Sequence, residues 1–177
     1  MTSLVEQVAA VGDALERSGI PWAFGGALAL AYATSEPRGT RDIDVNVFVS
    51  SDHAVDVFAA LPPGVEHSSA DVVTSIQQDQ VRLFWGETPV DVFFAADDFH
   101  LGVANRCRQV PFAGRVIRVL CAEDLAVFKA MFDRPKDWVD IATMVEARTI
   151  DVELAAARLA SLLGDDARVE RLRNLGS

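Results

Sequence analysis

The chain has little of several things that mark whole classes of protein. Only two cysteines, Cys107 and Cys121, stand in 177 residues. Neither has a His or a second Cys at metal-ligand spacing, so free thiols in a reducing cytosol are expected rather than a disulfide framework. No apolar run reaches the ~18 residues of a membrane-spanning helix, and no membrane partner is expected. Residues 1–6 lack a basic start leading into a long apolar stretch, so no signal peptide is read there and a cytoplasmic location is expected. Positive charge is scarce: 16 Lys and Arg face 26 Asp and Glu, for a formal net charge of −10. That balance argues against a wide nucleic-acid-binding surface and leaves room only for a local one. The three histidines, His53, His67 and His100, are scattered and near no nucleophile, so structural or solvent roles are expected. There is no internal repeat, low-complexity segment or linker. With 50% of its residues apolar, the chain has enough material for one well-packed domain over 1–177.

The most informative stretch is 25–44. Asp42 and Asp44 alternate with Ile43, Val45, Val47 and Val49, a period-two pattern that predicts a β-strand over 42–49. Asp42, Asp44 and Asn46 share one face, and the aliphatic residues share the face expected to meet a core. Residues two apart on a strand lie roughly 6.5 Å apart on the same side. Carboxylates that close repel unless a cation sits between them. Mg²⁺ suits such oxygen ligands and keeps room for water and phosphate. Upstream, the apolar Trp22, Ala23 and Phe24 lead into Gly25 and Gly26. A strand that turns through glycines into a helix lets backbone N–H groups approach an anion closely.

The remaining segments fall into place around this stretch. Residues 3–18 predict an amphipathic helix stopped by Gly19, 26–34 a short buried helix, and 52–60 a helix with Ser51 as its cap. Residues 66–78 are ambiguous between helix and coil. Runs 80–85 and 89–95 predict a hairpin, 97–105 a helix, and 107–111 with 115–120 a second hairpin. Helices follow over 122–132, from Lys136, and over 151–163 and 165–174, with Asp151 as a cap. The sheet core thus spans about 20–120 and the helices 121–177.

Four further features carry chemistry. Asp91 is a lone carboxylate in an apolar strand; it either faces water at an edge or, with Asp42 and Asp44, completes a set of three metal ligands. Arg106, Arg108, Arg115 and Arg118 form a basic stretch, read either as a solvated hairpin face or as a contact for acceptor or triphosphate. Lys129, taken alone, reads as an exposed helix lysine. Asp137 serves as an acid at a helix N-terminus, or orients Lys129 or an acceptor hydroxyl.

Together these residues resemble the DNA polymerase β-like nucleotidyltransferase superfamily. Within it the likeness is to the small AbiEii/MenT-type nucleotidyltransferase toxins and the antibiotic nucleotidyltransferases, over about residues 20–145. The family's first motif, Gly-Gly or Gly-Ser at a helix start followed by Asp-x-Asp on the next strand, appears here as Gly25, Gly26, Asp42 and Asp44. The fifteen residues between Gly26 and Asp42 fit the branch with an intervening short helix and Arg-x-Thr loop, here Arg38 and Thr40. With Gly26 in place of serine, one side-chain phosphate contact is missing. Lys129, followed by Arg134, Lys136, Asp137 and Asp140, is similar to a pattern that recurs in the AbiEii-like branch.

The resemblance implies an α+β polymerase β-like nucleotidyltransferase fold, a small mixed β-sheet with packed helices and a C-terminal helical portion. It implies transfer of a nucleoside monophosphate from an NTP to an acceptor hydroxyl, with release of pyrophosphate and dependence on Mg²⁺ or Mn²⁺. Asp42, Asp44 and Asp91 would be metal ligands, and Asp91 also the proton acceptor. Gly25, Gly26, Thr40 and Asp137 would serve the nucleotide, and Arg38 or Lys129 would offset triphosphate charge. Partners implied are an NTP, an acceptor (a tRNA end, a small molecule such as an antibiotic, or a protein hydroxyl) and a cognate antitoxin. The competing class is a non-catalytic nucleotide-binding or toxin–antitoxin module on the same fold.

Overall fold

A computed structural model describes residues 2–37 and 39–176; Arg38, one of the expected nucleotide contacts, lies outside them. In chain order the elements are α1 (Leu4–Ser18), β1 (Trp22–Phe24), α2 (Gly26–Thr34), β2 (Ile43–Val47), α3 (Ala54–Ala60), β3 (Val65–Glu66), α4 (Ser69–Gln78), β4 (Gln80–Trp85) and β5 (Thr88–Phe94). Then come α5 (Asp98–Val103), β6 (Arg108–Phe112), β7 (Arg115–Val119), α6 (Ala122–Phe132), α7 (Pro135–Glu146), α8 (Val152–Leu163) and α9 (Ala167–Leu175). The fold is α+β, as expected.

The strands form one mixed sheet in the order β3-β4-β5-β2-β1-β7-β6. β2 lies near its centre, antiparallel to β1 and parallel to β5. Its register divides the sheet chemically. Val45 and Val47 align with Phe24 and Trp22 on one side, and with Val92 and Phe94 on the other. Val81 and Leu83 of β4 extend the same row, and all eight side chains are buried. Helix α1 covers this face: a Cβ added at Gly12 would stand 3.0 Å from the Trp22 ring and 3.5 Å from Phe24. Burying each such side chain contributes about 1.5–3 kcal/mol, so this face anchors the sheet. The opposite face carries Asp44, Asn46, Asp91 and Arg82, and owes its order to those anchors. There α2 packs against α6 and α7, and the carboxylates look into the space between the sheet and those helices.

Local chemistry sets the boundaries. Ser3 and Glu6 close a capping box on α1, and Gly19 ends it in the left-handed region. Asp151 caps α8 through the Leu154 N–H at 2.9 Å. The ambiguous 66–78 segment resolves into α4, because Ser68 and Asp71 form a reciprocal capping box. Ser51 is not the cap expected for 52–60. Ser50 caps a 3-10 turn over Ser51–His53, α3 begins only at Ala54, and the Ser51 hydroxyl instead donates to Asp79 Oδ1 at 2.7 Å. No helix among the described residues is long and apolar enough to cross a membrane.

Candidate active site

The carboxylates owe their arrangement to the strand register. Asp44 of β2 pairs with Asp91 of the parallel β5, and Asp91 pairs in turn with Arg82 of the antiparallel β4. Asp42 stands two residues before Asp44, held by the Thr40 hydroxyl, which donates to its Oδ1 at 2.6 Å. The loop residue Thr40 therefore steadies an acid of the site. Asp44 is largely withdrawn from water. Burial first, and then the negative charges of Asp42 and Asp91, push its carboxyl up to about 6, against partial relief from Lys129 and Lys136. A hard divalent cation bound by these oxygens would remove that repulsion, so the donor set fits Mg²⁺ or Mn²⁺. In the arrangement observed, no three such ligands converge among the described residues, and Asp91 is turned to Arg82. Arg82 Nε and one terminal nitrogen each lie 2.7 Å from an Asp91 oxygen.

Gly25 and Gly26 open α2 directly above this face. Gly26 adopts a φ of +51°, and a Cβ there would overlap the Asp44 carboxylate. The structure thus supplies the reason for glycine where serine occurs in the resembled family: any side chain would displace Asp44. A Cβ at Gly25 would stand 2.8 Å from the Asn46 amide nitrogen. Asn46 is itself buried, lines the cleft and makes no side-chain hydrogen bond among the described residues. No buried polar side-chain atom among the described residues lacks a partner, so the Asn46 amide opens to the cleft rather than being orphaned in the core. Asn46 shares the carboxylate face in the sequence pattern, but nothing there signals that its amide reaches the cleft.

The facing wall comes from α6 and α7. Lys129 is not an exposed helix lysine; it is 9% exposed, with Nζ 2.7 Å from Asp140 Oδ2 and 3.7 Å from Asp137 Oδ1. Asp137 is fully buried and caps α7, accepting hydrogen bonds from Arg134 Nε at 2.6 Å and from the Arg134 backbone N–H at 3.3 Å. Burial works to raise its carboxyl, but the Arg134 and Lys129 charges outweigh it and hold the group below the usual carboxylate range. Asp137 thus stands in the first turn of α7, bonded to the N-cap backbone, and faces Lys129. Pro135 at the first turn fixes the entry of α7.

Between the walls runs a cleft of about 1070 Å³. Gly25, Gly26, Asp42, Asp44, Asp91, Lys129 and Asp137 all line it, so it gathers most of the residues singled out in the sequence. At one end its lining turns aromatic. Phe93 and Phe132 meet edge to face at 6.0 Å, and the His100 ring lies 5.0 Å from that of Phe128. His100 was assigned no site role, yet its Nδ1 sits 2.7 Å from Asp97 Oδ1 and its ring faces the cleft. The three-residue spacing of Asp97 and His100 was the available signal. The basic stretch is elsewhere. Arg106 is spent on the buried Asp124 at 2.9 Å, Arg115 on Asp13 and Arg118 on Glu16. None of these, nor Arg108, lines the cleft.

This architecture is that of the nucleotidyltransferases. The solution structure of the antibiotic-resistance factor ANT(2″)-Ia superposes with a TM-score of 0.62 at 15% identity, over 96% of this chain and 96% of that one. The crystal structure of ANT(2″)-Ia in complex with adenylyl-2″-tobramycin gives 0.56 at 17% identity, over 96% and 94%. The lincomycin-bound lincosamide antibiotic adenylyltransferase LnuA gives 0.54 at 14% identity, over 78% and 94%. At such identities the likeness establishes the fold. No curated protein matches the chain. Residues 2–172 match the family described as nucleotidyltransferase of unknown function, DUF6036, and the chain belongs to that family. As a member of a nucleotidyltransferase family, it is a transferase.

Proposed function

We propose that this enzyme moves a nucleoside monophosphate from an NTP such as ATP to a hydroxyl of a small, cationic acceptor. The observation that carries the reading is the half-buried row of Asp44 and Asp91, with Asp42 alongside, beneath the glycine-opened start of α2. Asp42, Asp44 and Asp91 would hold Mg²⁺ or Mn²⁺, which neutralises charge on the phosphates and on the attacking and leaving oxygens. Gly26 opens α2 and would present its backbone N–H to the triphosphate at the positive end of that helix, while the Gly25 N–H is held by the Asp44 carbonyl at 2.9 Å and ties the turn to β2. Lys129 faces it as a point charge, held at the cleft wall by its ion pairs with Asp140 and Asp137. Thr40 fixes Asp42, and Arg38 stands in the same loop sequence. The acceptor oxygen attacks the α-phosphorus, the bond to the bridging oxygen of the β-phosphate breaks, and pyrophosphate leaves with that electron pair. The hydroxyl proton passes to Asp91.

Two observations favour a small cationic acceptor over an RNA end. The cleft is bordered by Asp71 and Asp79, and three of the four arginines of the basic stretch, Arg106, Arg115 and Arg118, are paired with acids outside it. The test incubates the protein and Mg²⁺ with each α-labelled NTP and, separately, aminoglycosides, lincosamides and total tRNA. Labelled small-molecule product, lost in Asp44→Ala, is expected. Label appearing only in tRNA would overturn the acceptor class, and no transfer to any acceptor would overturn the activity.

A further inference from the structure

Arg82, Asp91 and Asp44 form a straight row across three adjacent strands, β4, β5 and β2. The two oxygens of Asp91 are both taken by the Arg82 fork, each at 2.7 Å. A carboxylate gripped on both oxygens is a poor ligand for anything else. The two partners are unequal in freedom. The Asp91 side chain is 14% exposed and fixed on a central strand, whereas that of Arg82 is 56% exposed. Arg82 can therefore leave toward solvent at small cost; Asp91 cannot follow. Both line the cleft beside Asp42 and Asp44.

We propose that Arg82 is a positioning residue that withholds Asp91 from the cation site and surrenders it when the site fills. This rests on the metal-ligand reading given above. In the resting enzyme two acids, Asp42 and Asp44, are open to the first cation, and the third is masked. Loading then exchanges one positive partner of Asp91 for another. Arg82, displaced to the cleft's open edge, remains close enough to meet an incoming anion. The arrangement makes the cation affinity of the free enzyme weak, and makes it depend on how firmly a residue that need not touch substrate holds its strand neighbour.

The experiment measures Mn²⁺ binding without nucleotide, from the free-ion electron paramagnetic resonance signal, on the full chain. Wild type, Asp44→Asn, Arg82→Lys, Arg82→Gln, Asp91→Asn and the Arg82→Lys/Asp91→Asn double variant are compared, each checked by a thermal melt. Lysine keeps the positive charge but loses the fork, so it separates grip from simple charge repulsion. Arg82→Lys is expected to bind Mn²⁺ about twofold to fivefold more tightly than wild type, a range set by the worth of an exposed ion pair. In the Asp91→Asn background the same change should have no effect. Tightening in Arg82→Gln alone, with Arg82→Lys equal to wild type, would reduce Arg82 to a charge and overturn the proposal. Wild-type binding lost in Asp44→Asn but indifferent to Arg82 would overturn it while leaving the metal reading intact. No Mn²⁺ binding by any folded variant would overturn both.

Discussion

Asp44 and Asp137 are withdrawn from water on opposite walls of one cleft, and their acidities move in opposite directions. Asp137 keeps its charge because Arg134 and Lys129 stand beside it. Asp44 faces Asp42 and Asp91, and its carboxyl rises to about 6. Burial alone is common to both, so burial does not mark function here. The company does: a carboxylate buried with its cations has finished its electrostatic work in the folded chain. One buried with other carboxylates has left that work for a ligand. Asp124, fully buried and bound by Arg106 and Arg158, belongs with Asp137 in this respect.

The sharpest test substitutes each in turn. Asp44→Ala should cut transfer by about 10²–10³-fold or more, the scale for removing one electrostatic element of a reaction centre, while the melt stays level or rises. Asp137→Asn should do the reverse in emphasis. Removing one partner of a buried ion pair costs about 3 kcal/mol, read as a lower denaturation midpoint. If Asp44→Ala unfolds the protein and Asp137→Asn does not, the division between the two walls fails.

A milder break targets the fit of α2 on the sheet. Gly26→Ala places a methyl against the Asp44 carboxylate in a left-handed backbone position. The backbone strain alone costs about 1 kcal/mol. The displaced Asp44 should lower both divalent-cation affinity and transfer rate, measured by Mn²⁺ titration and steady-state kinetics. Unchanged cation affinity would show that the close approach serves packing only.

These differences explain how far the sequence could be read. Asp42, Asp44 and Asp91 were legible because strand periodicity alone puts alternate residues on one face, and an acid in an apolar run stands out. Glycines at the start of α2 were legible as a turn, but not the reason for Gly26, which is a contact with Asp44 across a loop. Partnership between distant residues left no periodic trace. Arg82 looks like any charged residue on a hairpin, and the Arg106–Asp124 pair spans a turn and two elements, so a basic stretch that looks available has three of its four arginines spent on acids. Lys129 alone reads as exposed, since a helical lysine usually is; only the return of α7 beside α6 buries it. Ser51 was taken for a cap because its composition matched, while Ser50 next to it had the geometry.

Lys129 gives a prediction of intermediate size. Its ion pairs with Asp140 and Asp137 already hold it at the cleft wall, so Lys129→Ala combines two losses. Transfer should fall about 10- to 100-fold, chiefly through weaker NTP binding, and stability should fall by about 1–3 kcal/mol as Asp137 and Asp140 lose a partner. Lys129→Arg should restore stability more fully than activity, because its planar fork differs from a point charge. Full kinetic rescue by arginine would place Lys129 with the structural pairs instead.

The smallest effect is also the most direct readout of the comparison, because it follows the protons themselves. With divalent cations chelated, Asp44 in the folded protein holds its proton up to about pH 6, whereas in the unfolded chain the ordinary value is 3.8. Between those values the folded state binds more protons, so the contribution of Asp44 to stability falls as pH rises through the window. The groups facing it are Asp42 and Asp91, which raise its carboxyl, and Lys129 and Lys136, which lower it. Asp137 has the opposite sign. Its folded value is depressed, so its contribution is complete above the unfolded value and is lost as pH falls through the folded one. Melts of wild type and Asp44→Asn should therefore diverge in favour of the variant between about pH 4 and pH 7. Melts of wild type and Asp137→Asn should converge as pH drops below about 4. Saturating Mg²⁺ with NTP should shrink the first divergence and leave the second convergence in place, since only Asp44 is left without a cationic partner by the fold. Parallel pH curves for Asp44→Asn and wild type in chelator would mean that its neighbours do not burden it, and the distinction between the two walls would rest on packing alone.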